Sequence, residues 1–217
     1  MPRNTLTPEQ ILRAAIDLLD EQGLDGLNMR SLGQRLTSAA TAIYWHIKTK
    51  DDLVRLAADA VWTEIALPDP AAVGWRTAAE SLATGMHDMC TRHPWLGQAI
   101  GSHLIYGPGK TRFDDRTLAV YERAGFSPAD ADRAAATVFV YVLGSSLGPA
   151  AQVSLTRRLS PAALGEAVAE AQSIGRDFPH VRSRLGTTAG TGYAAAPDDT
   201  FAFGLAAILD GFAARLR

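Results

Sequence analysis

Cysteine is all but missing from this sequence. Cys90 is the only one among 217 residues, which excludes an internal disulfide and suits a reducing compartment. Neither sign of charge is in excess: 21 Lys and Arg stand against 23 Asp and Glu, a formal net charge of -2. Nonspecific coating of nucleic acid by a polycationic chain is thereby excluded. No stretch alternates apolar and polar residues with period two, and no segment repeats, so strands and solenoids are not expected and the fold class reads as all-α. An apolar leader is missing too, since Met1-Pro2-Arg3-Asn4-Thr5 runs into a polar helix start, and the expected location is cytoplasmic. One long apolar run, Ala134 to Ala151, raises the question of a membrane span. It is interrupted by Ser145, Ser146, Gly148 and Pro149 and lacks aromatic flanks, so it is expected to be a buried core helix with no membrane partner. With 47% hydrophobic and 20% charged residues, the chain can bury a sizeable core as one domain or two small ones.

The densest information lies between Gly26 and Lys50. Arg30, Arg35, Lys48 and Lys50 fall there with no Asp or Glu among them, a local cationic surface that points to a polyanionic partner. Asn28 is placed to cap a short helix, on which Met29, Leu32 and Leu36 form an inward stripe and Arg30, Gln34 and Arg35 face outward. Thr37 falls in a turn. Ser38 can cap a second short helix anchored by Ile43 and Ile47, with Ala40, Thr41, Tyr44 and His46 on its free face. This is the outline of a helix-turn-helix, whose second helix enters a DNA major groove. An ordinary surface helical hairpin is the alternative reading of the same residues.

The run Ile43-Tyr44-Trp45-His46-Ile47-Lys48-Thr49-Lys50-Asp51-Asp52-Leu53, preceded by Gly26-Leu27 and Arg30-Ser31-Leu32, resembles the DNA-binding domain of the tetracycline-repressor (TetR) family. More weakly, Gly125-Phe126-Ser127 and Phe201-Ala202-Phe203-Gly204-Leu205 resemble the tetracycline-repressor-like type of C-terminal domain. The resemblance implies an all-helical homodimer, with three N-terminal helices on DNA and a larger C-terminal domain that dimerises and takes a small-molecule inducer. The expected division is a DNA-binding domain over 1–50 and a ligand-binding and dimerisation domain over 51–217, with 51–67 as the bridging helix.

Capping and stop signals lay out the remaining helices. Thr7-Pro8-Glu9-Gln10 is a capping box that starts a helix stopped by Gly23. Thr49-Lys50-Asp51-Asp52 starts the bridging helix, expected to reach about Ala66, and Pro68 to Gly74 is the best linker. Helices are then expected over Trp75–Arg92, from Pro94 through Ile100, over Arg112–Arg123, from Ser127 through the apolar run, and from Ser160 to near Gly175. A mobile loop is expected from Gly186 to Asp199. The last helix, Thr200–Leu216, carries Phe201, Leu205, Ile208, Leu209, Phe212 and Leu216 in one stripe. That stripe either closes the core of its own subunit or, with the Ser127 helix, forms half of a four-helix dimer interface, which is the reading favoured here.

Two other chemistries have a sequence signal. Gly144-Ser145-Ser146-Leu147-Gly148, followed by Asp177 and His180, matches the order of a serine hydrolase. That motif needs a strand-to-helix turn, and no strand pattern exists here. His87, Cys90 and His93 recur at i, i+3 and i+6, a poor spacing for zinc ligands on one helix, so no metal site is assigned. A helical dimeric scaffold without specific DNA binding is a further alternative.

On the regulator reading, Arg30 is expected to contact a base, because a guanidinium can bridge two acceptors of guanine. Thr41, Ala40 and Ala42 would meet thymine methyls, and Tyr44, His46 and Lys50 would hold phosphates, with Trp45 packing behind them and Asn28 at the helix start. His87, Trp95, His103, Tyr106, Phe113, Tyr121, Phe139 and Tyr141 are the candidates for the inducer pocket, in the segments that the resemblance assigns to it. In the tetracycline repressors a magnesium ion accompanies the drug, held by a histidine and, through water, by acidic and histidine side chains on the long helix. His103 matches the first of these positions. The long-helix positions are Val140 and Gly148, which cannot coordinate a hard cation, so no cofactor is assigned and a different inducer is expected.

Overall fold

The computed structural model describes residues 6–37, 47–187 and 200–216, which are helical with turns and contain no strand. They form two compact units, Met1–Asp132 and Arg133–Arg217.

In the first unit, α1 (Pro8–Gly26) opens on the expected capping box, with Thr7 and Gln10 each satisfying the other's backbone N–H. Gly23 breaks the helix where expected: its φ of 72° lies in the left-handed region, and a last turn resumes through Gly26. Ile11, Ala15, Leu18 and Leu19 are buried on one side, at the spacing of a helical stripe. A second short helix, α2 (Met29–Arg35), starts at Asn28, whose side chain accepts the Ser31 N–H while the Ser31 hydroxyl accepts from Asn28. Leu32 is fully buried, an anchor that contributes about 2 kcal/mol. Past the next described residues, α3 (Lys50–Trp62) is capped by Thr49 through the Asp52 N–H. Its buried residues Leu53, Val54, Ala57, Ala58, Val61 and Trp62 pack it against α1 on one side and against later helices of the unit on the other.

This bridging helix ends about a turn before the expected Ala66. The Thr63, Glu64 and Ile65 N–H groups turn back to the carbonyls three residues earlier, and the Thr63 hydroxyl competes for the Ala60 carbonyl, as a tightened last turn does. The expected linker is also ordered. Asp69 caps a short helix, α4 (Pro70–Val73), and Arg116 donates to the Pro68 carbonyl at 2.7 Å. Two longer elements, α5 (Trp75–Arg92) and α7 (Pro108–Ala124), pack against each other, with α6 (Trp95–Ser102) reaching back to α1.

The second unit contains most of α8 (Pro128–Arg158), then α9 (Pro161–Gly175), α10 (Pro179–Arg182) and α11 (Thr200–Arg215). Instead of ending with the apolar run at Ala151, α8 passes through Pro149 and continues to Arg158. The residues beyond, from Ala150 to Arg158, include good helix formers and finish in two arginines that suit a helix C-terminus. It has the length and hydropathy of a membrane span, but its faces differ. Ala134, Val138, Val142 and Ser146 are buried, whereas Val140 and Leu147 are 67% and 63% exposed. The expectation of a buried core helix thus holds on one face only. On α11, Leu205 and Leu209 are buried and Phe203 is 77% exposed. Tyr141 stacks on Phe201 at 5.8 Å, and its hydroxyl donates to the Thr200 and Phe201 carbonyls. Of the loop expected from Gly186 to Asp199, all but Gly186 and Thr187 lies outside the described residues.

Candidate nucleic-acid interface and the contacts of α3

Of the residues expected to meet DNA, Ala40, Thr41, Ala42, Tyr44, Trp45 and His46 lie outside the described residues, as does the helix expected from Ser38. Ile47, its second expected anchor, is buried. Asn28 is engaged in holding α2: Oδ1 accepts the Ser31 N–H at 2.9 Å and Nδ2 donates to the Gly26 carbonyl at 3.3 Å. Arg30 is exposed on the first turn of α2. Arg35 is exposed, as expected, and on that outer face it pairs with Glu21 and, at 3.7 Å, with Asp17 of α1. The cationic stretch has no acid in sequence, but folding brings two beside it. Lys50 is likewise drawn toward α1, donating to the Leu24 carbonyl at 2.8 Å, a favourable place for an ammonium at a helix C-terminus. Lys48 is exposed and is the cation that the sequence pattern alone did not single out for a phosphate.

One face of α3 holds the 103–107 loop and the first turn of α7 at successive turns. Asp51 lies 3.5 Å from Nε2 of His103. A turn later, the Arg55 guanidinium covers the Tyr106 ring at 4.5 Å and donates to the Tyr106 carbonyl at 3.3 Å. A turn beyond that, the buried Asp59 carboxylate accepts the Lys110 N–H at 2.8 Å. The spacing i, i+4, i+8 puts the three side chains on one stripe. Gly107 and Gly109 lie so close to Asp59 that a Cβ on either would strike it, the backbone carbonyl in the case of Gly109. Trp62 ends the stripe, with the Lys110 ammonium 5.0 Å from its ring.

The eight residues expected around an inducer have several different surroundings. Trp95, Phe113 and Tyr121 are in the core of the first unit: Trp95 donates to Asp20 at 2.7 Å, Phe113 packs on Trp62, and Tyr121 meets Phe126 edge-on. Burial pushes the Tyr121 phenol well up from its usual range. His87 is half-buried, and burial lowers its pKa against the opposing influence of Asp88. His103 and Tyr106 line the loop held by α3. Phe139 and Tyr141, both half-buried, belong to the second unit. A depression of about 510 Å³ lies beside α5, lined by Glu64, Thr77, Glu80, Thr84 and Asp88 among others. Its lining mixes the acids Glu64, Glu80 and Asp88 with Arg92, Ile65 and Ala66 and includes none of the eight candidates.

The hydrolase pattern has no support in the geometry. Ser146 is buried within α8, and its hydroxyl is spent on the Val142 carbonyl at 2.8 Å. The His87, Cys90 and His93 series is also divided: Cys90 is buried, and both ring nitrogens of His93 face carboxylates. The magnesium arrangement implied by the resemblance does not fit either. His103 is paired with Asp51 and Ser102, and Val140 and Gly148 offer no donor.

Comparison with known proteins agrees with this architecture. Residues 11–57 match the bacterial regulatory proteins of the tetR family, and residues 67–216 match the tetracyclin repressor-like C-terminal domain. An HTH-type transcriptional regulator of Saccharopolyspora erythraea is 37% identical over 140 residues, covering 64% of this chain and 59% of that protein. The chain therefore spans less than two thirds of that relative's length. The class A tetracycline repressor from transposon 1721 of Escherichia coli is 31% identical over 97% of this chain and 92% of its own. A solved structure of a possible regulator from Streptomyces coelicolor superposes with a TM-score of 0.76 at 29% identity, covering 95% and 98% of the two chains.

Proposed function

The chain belongs to the TetR family of DNA-binding transcriptional regulators, which are not enzymes, and from that membership we propose a homodimeric repressor released from a near-palindromic operator by a small-molecule inducer. The observation that carries the reading is the stripe Asp51, Arg55, Asp59 on α3. It ties the helix that leaves the DNA-binding head to the loop bearing His103 and Tyr106. A ligand that binds one arrangement of that loop better than another shifts the whole helix, because only differential affinity moves such an equilibrium. The two recognition helices then change separation from the ~34 Å that successive major grooves require.

Within this proposal, 1–50 forms the head and 51–217 the ligand-binding and dimerisation domain, in a protein of the cytoplasm. Arg30 reads a base. Lys48 and Lys50 hold phosphates, together with Tyr44 and His46. The exposed side chains Val140, Leu147 and Phe203 mark the dimer face, since apolar side chains left in water on long helices suit burial against a second copy. The inducer is an organic molecule that needs no magnesium ion.

Fluorescence anisotropy with the DNA flanking the protein's own gene, at two salt concentrations and against unrelated competitor DNA, tests the reading. Tight, salt-dependent and competitor-resistant binding is expected. Binding no tighter than to unrelated DNA, by protein freed of small molecules, would replace it with the scaffold alternative.

A further inference from the structure

His93 forms the corner between α5 and α6 and is 6% exposed. Its Nδ1 lies 2.7 Å from Oδ1 of Asp20 on α1, and its Nε2 lies 3.2 and 3.3 Å from the two carboxylate oxygens of Glu64, just past α3. Ionised carboxylates only accept hydrogen bonds. A neutral imidazole has one N–H and would turn its other nitrogen's lone pair toward an oxygen, whereas the imidazolium, with two N–H groups, satisfies both. The surroundings are built around that charge. The Trp95 indole N–H donates to the same Asp20 oxygen at 2.7 Å. The Arg92 guanidinium holds Glu64 through contacts of 2.8 and 3.3 Å. Among the described residues, the charged groups that meet the ring are Asp20 from α1 and Glu64 from the turn after α3, and Arg92 from α5 meets Glu64 in turn.

We propose that the His93 imidazolium is a positioning residue, a clamp fixing α1 of the DNA-binding head to the α5–α6 corner, so that the head's freedom and operator affinity follow the protonation of this ring. The operator part rests on the regulator reading above. Burial, the largest single influence on the ring, lowers its pKa, but the hydrogen bonds and charges of Asp20 and Glu64 together raise it. A raised folded-state pKa gives a stabilisation complete below the unfolded value and lost as pH rises through the folded one. The clamp is therefore closed in mild acid and opens toward alkaline pH. A closed clamp preorganises the head, and binding then loses less conformational freedom.

The test uses the full-length protein labelled with nitrogen-15. The His93 ring and Trp95 indole resonances are followed against pH in wild type, Asp20→Asn and Glu64→Gln. Hydrogen exchange of the α1 amides, corrected for intrinsic rates, is followed in wild type and His93→Gln. A His93 midpoint above that of a free imidazole is expected, with the Trp95 indole moving at the same midpoint and both substitutions lowering it. Amides of α1 should lose protection through that midpoint in wild type and show no such step in His93→Gln. In parallel, affinity for the flanking DNA should fall roughly threefold more between pH 6 and pH 8 in wild type than in His93→Gln. A His93 midpoint at or below the free value, a Trp95 signal that does not follow it, or α1 protection with the same pH profile in both proteins would overturn the clamp. Equal pH slopes for DNA would overturn its effect on affinity. DNA bound without selectivity at either pH would instead overturn the regulator reading, while the ring titration and α1 exchange still decide the clamp.

Discussion

Removing the carboxylate of Asp59 measures how firmly the bridging helix α3 is fastened to α7. The α7 helix has no side-chain cap of its own, since Gly107 precedes it. Its Lys110 N–H is satisfied by Asp59, from 51 residues away. Losing a cap costs about 1 kcal/mol, and a partly buried negative charge at a helix N-terminus contributes up to about 2 more. Asp59→Ala is therefore expected to cost about 2 to 3 kcal/mol. Asp59→Asn keeps an acceptor of the same shape without the charge and should cost about 1 kcal/mol. Urea unfolding followed by far-ultraviolet circular dichroism reads both. With an m-value of ~2 kcal/mol/M, the Ala variant's midpoint should fall by about 1 to 1.5 M at unchanged m. A midpoint within ~0.3 M of wild type, on the same m, would refute the cap, and equal losses for Ala and Asn would refute the division between hydrogen bond and charge.

Arg30→Ala should weaken operator binding by about 1 to 3 kcal/mol and relax selection at one base position, while Lys48→Ala should weaken all DNA alike and flatten the salt slope. Anisotropy titrations on single-base operator variants distinguish the two. Tyr141→Phe removes the donor to the Thr200 and Phe201 carbonyls and should cost about 1 kcal/mol, read as a lower midpoint in urea. Ser146→Ala removes only a hydroxyl bonded within its own helix, so a shift within ~0.5 kcal/mol and unchanged DNA binding are expected. Because His93 titrates upward on folding, the stability advantage of wild type over His93→Gln should be largest near pH 5.5 and shrink as pH rises past the folded value, which thermal unfolding across that range checks.

Much of this fold could be read locally. Thr7 and Gln10, Asn28 and Thr49 are recognisable as caps because a cap needs only neighbours within four residues. The bounds of α5, Trp75–Arg92, and Gly23 as a breaker rest on equally short-range chemistry. The features that the sequence pattern hides depend on distant partners. Arg35 does face outward, but only folding places Asp17 and Glu21 beside it. Asp59 is one of several acids on its helix, and nothing local marks it as the cap of α7. His93 reads as an ordinary polar residue, because Asp20 and Glu64 lie 73 and 29 residues away along the chain. The inducer candidates share an aromatic character that core packing also demands, and Trp95, Phe113 and Tyr121 serve the core.

The bridging helix also limits how relatives of this protein can be recombined. Leu53 and Val54 are buried near its start, and Asp59 and Trp62 toward its end, so no cut within Lys50–Trp62 leaves both halves intact. A chimera joined at residue 57, where the first family match ends, would take the Asp59 side chain from one parent and Gly107, Gly109 and the rest of its loop from the same parent, but Asp51 and Arg55 from the other. The exchangeable module for grafting a foreign head is therefore bounded before Thr49, with the entire helix travelling with the body whose loop it grips.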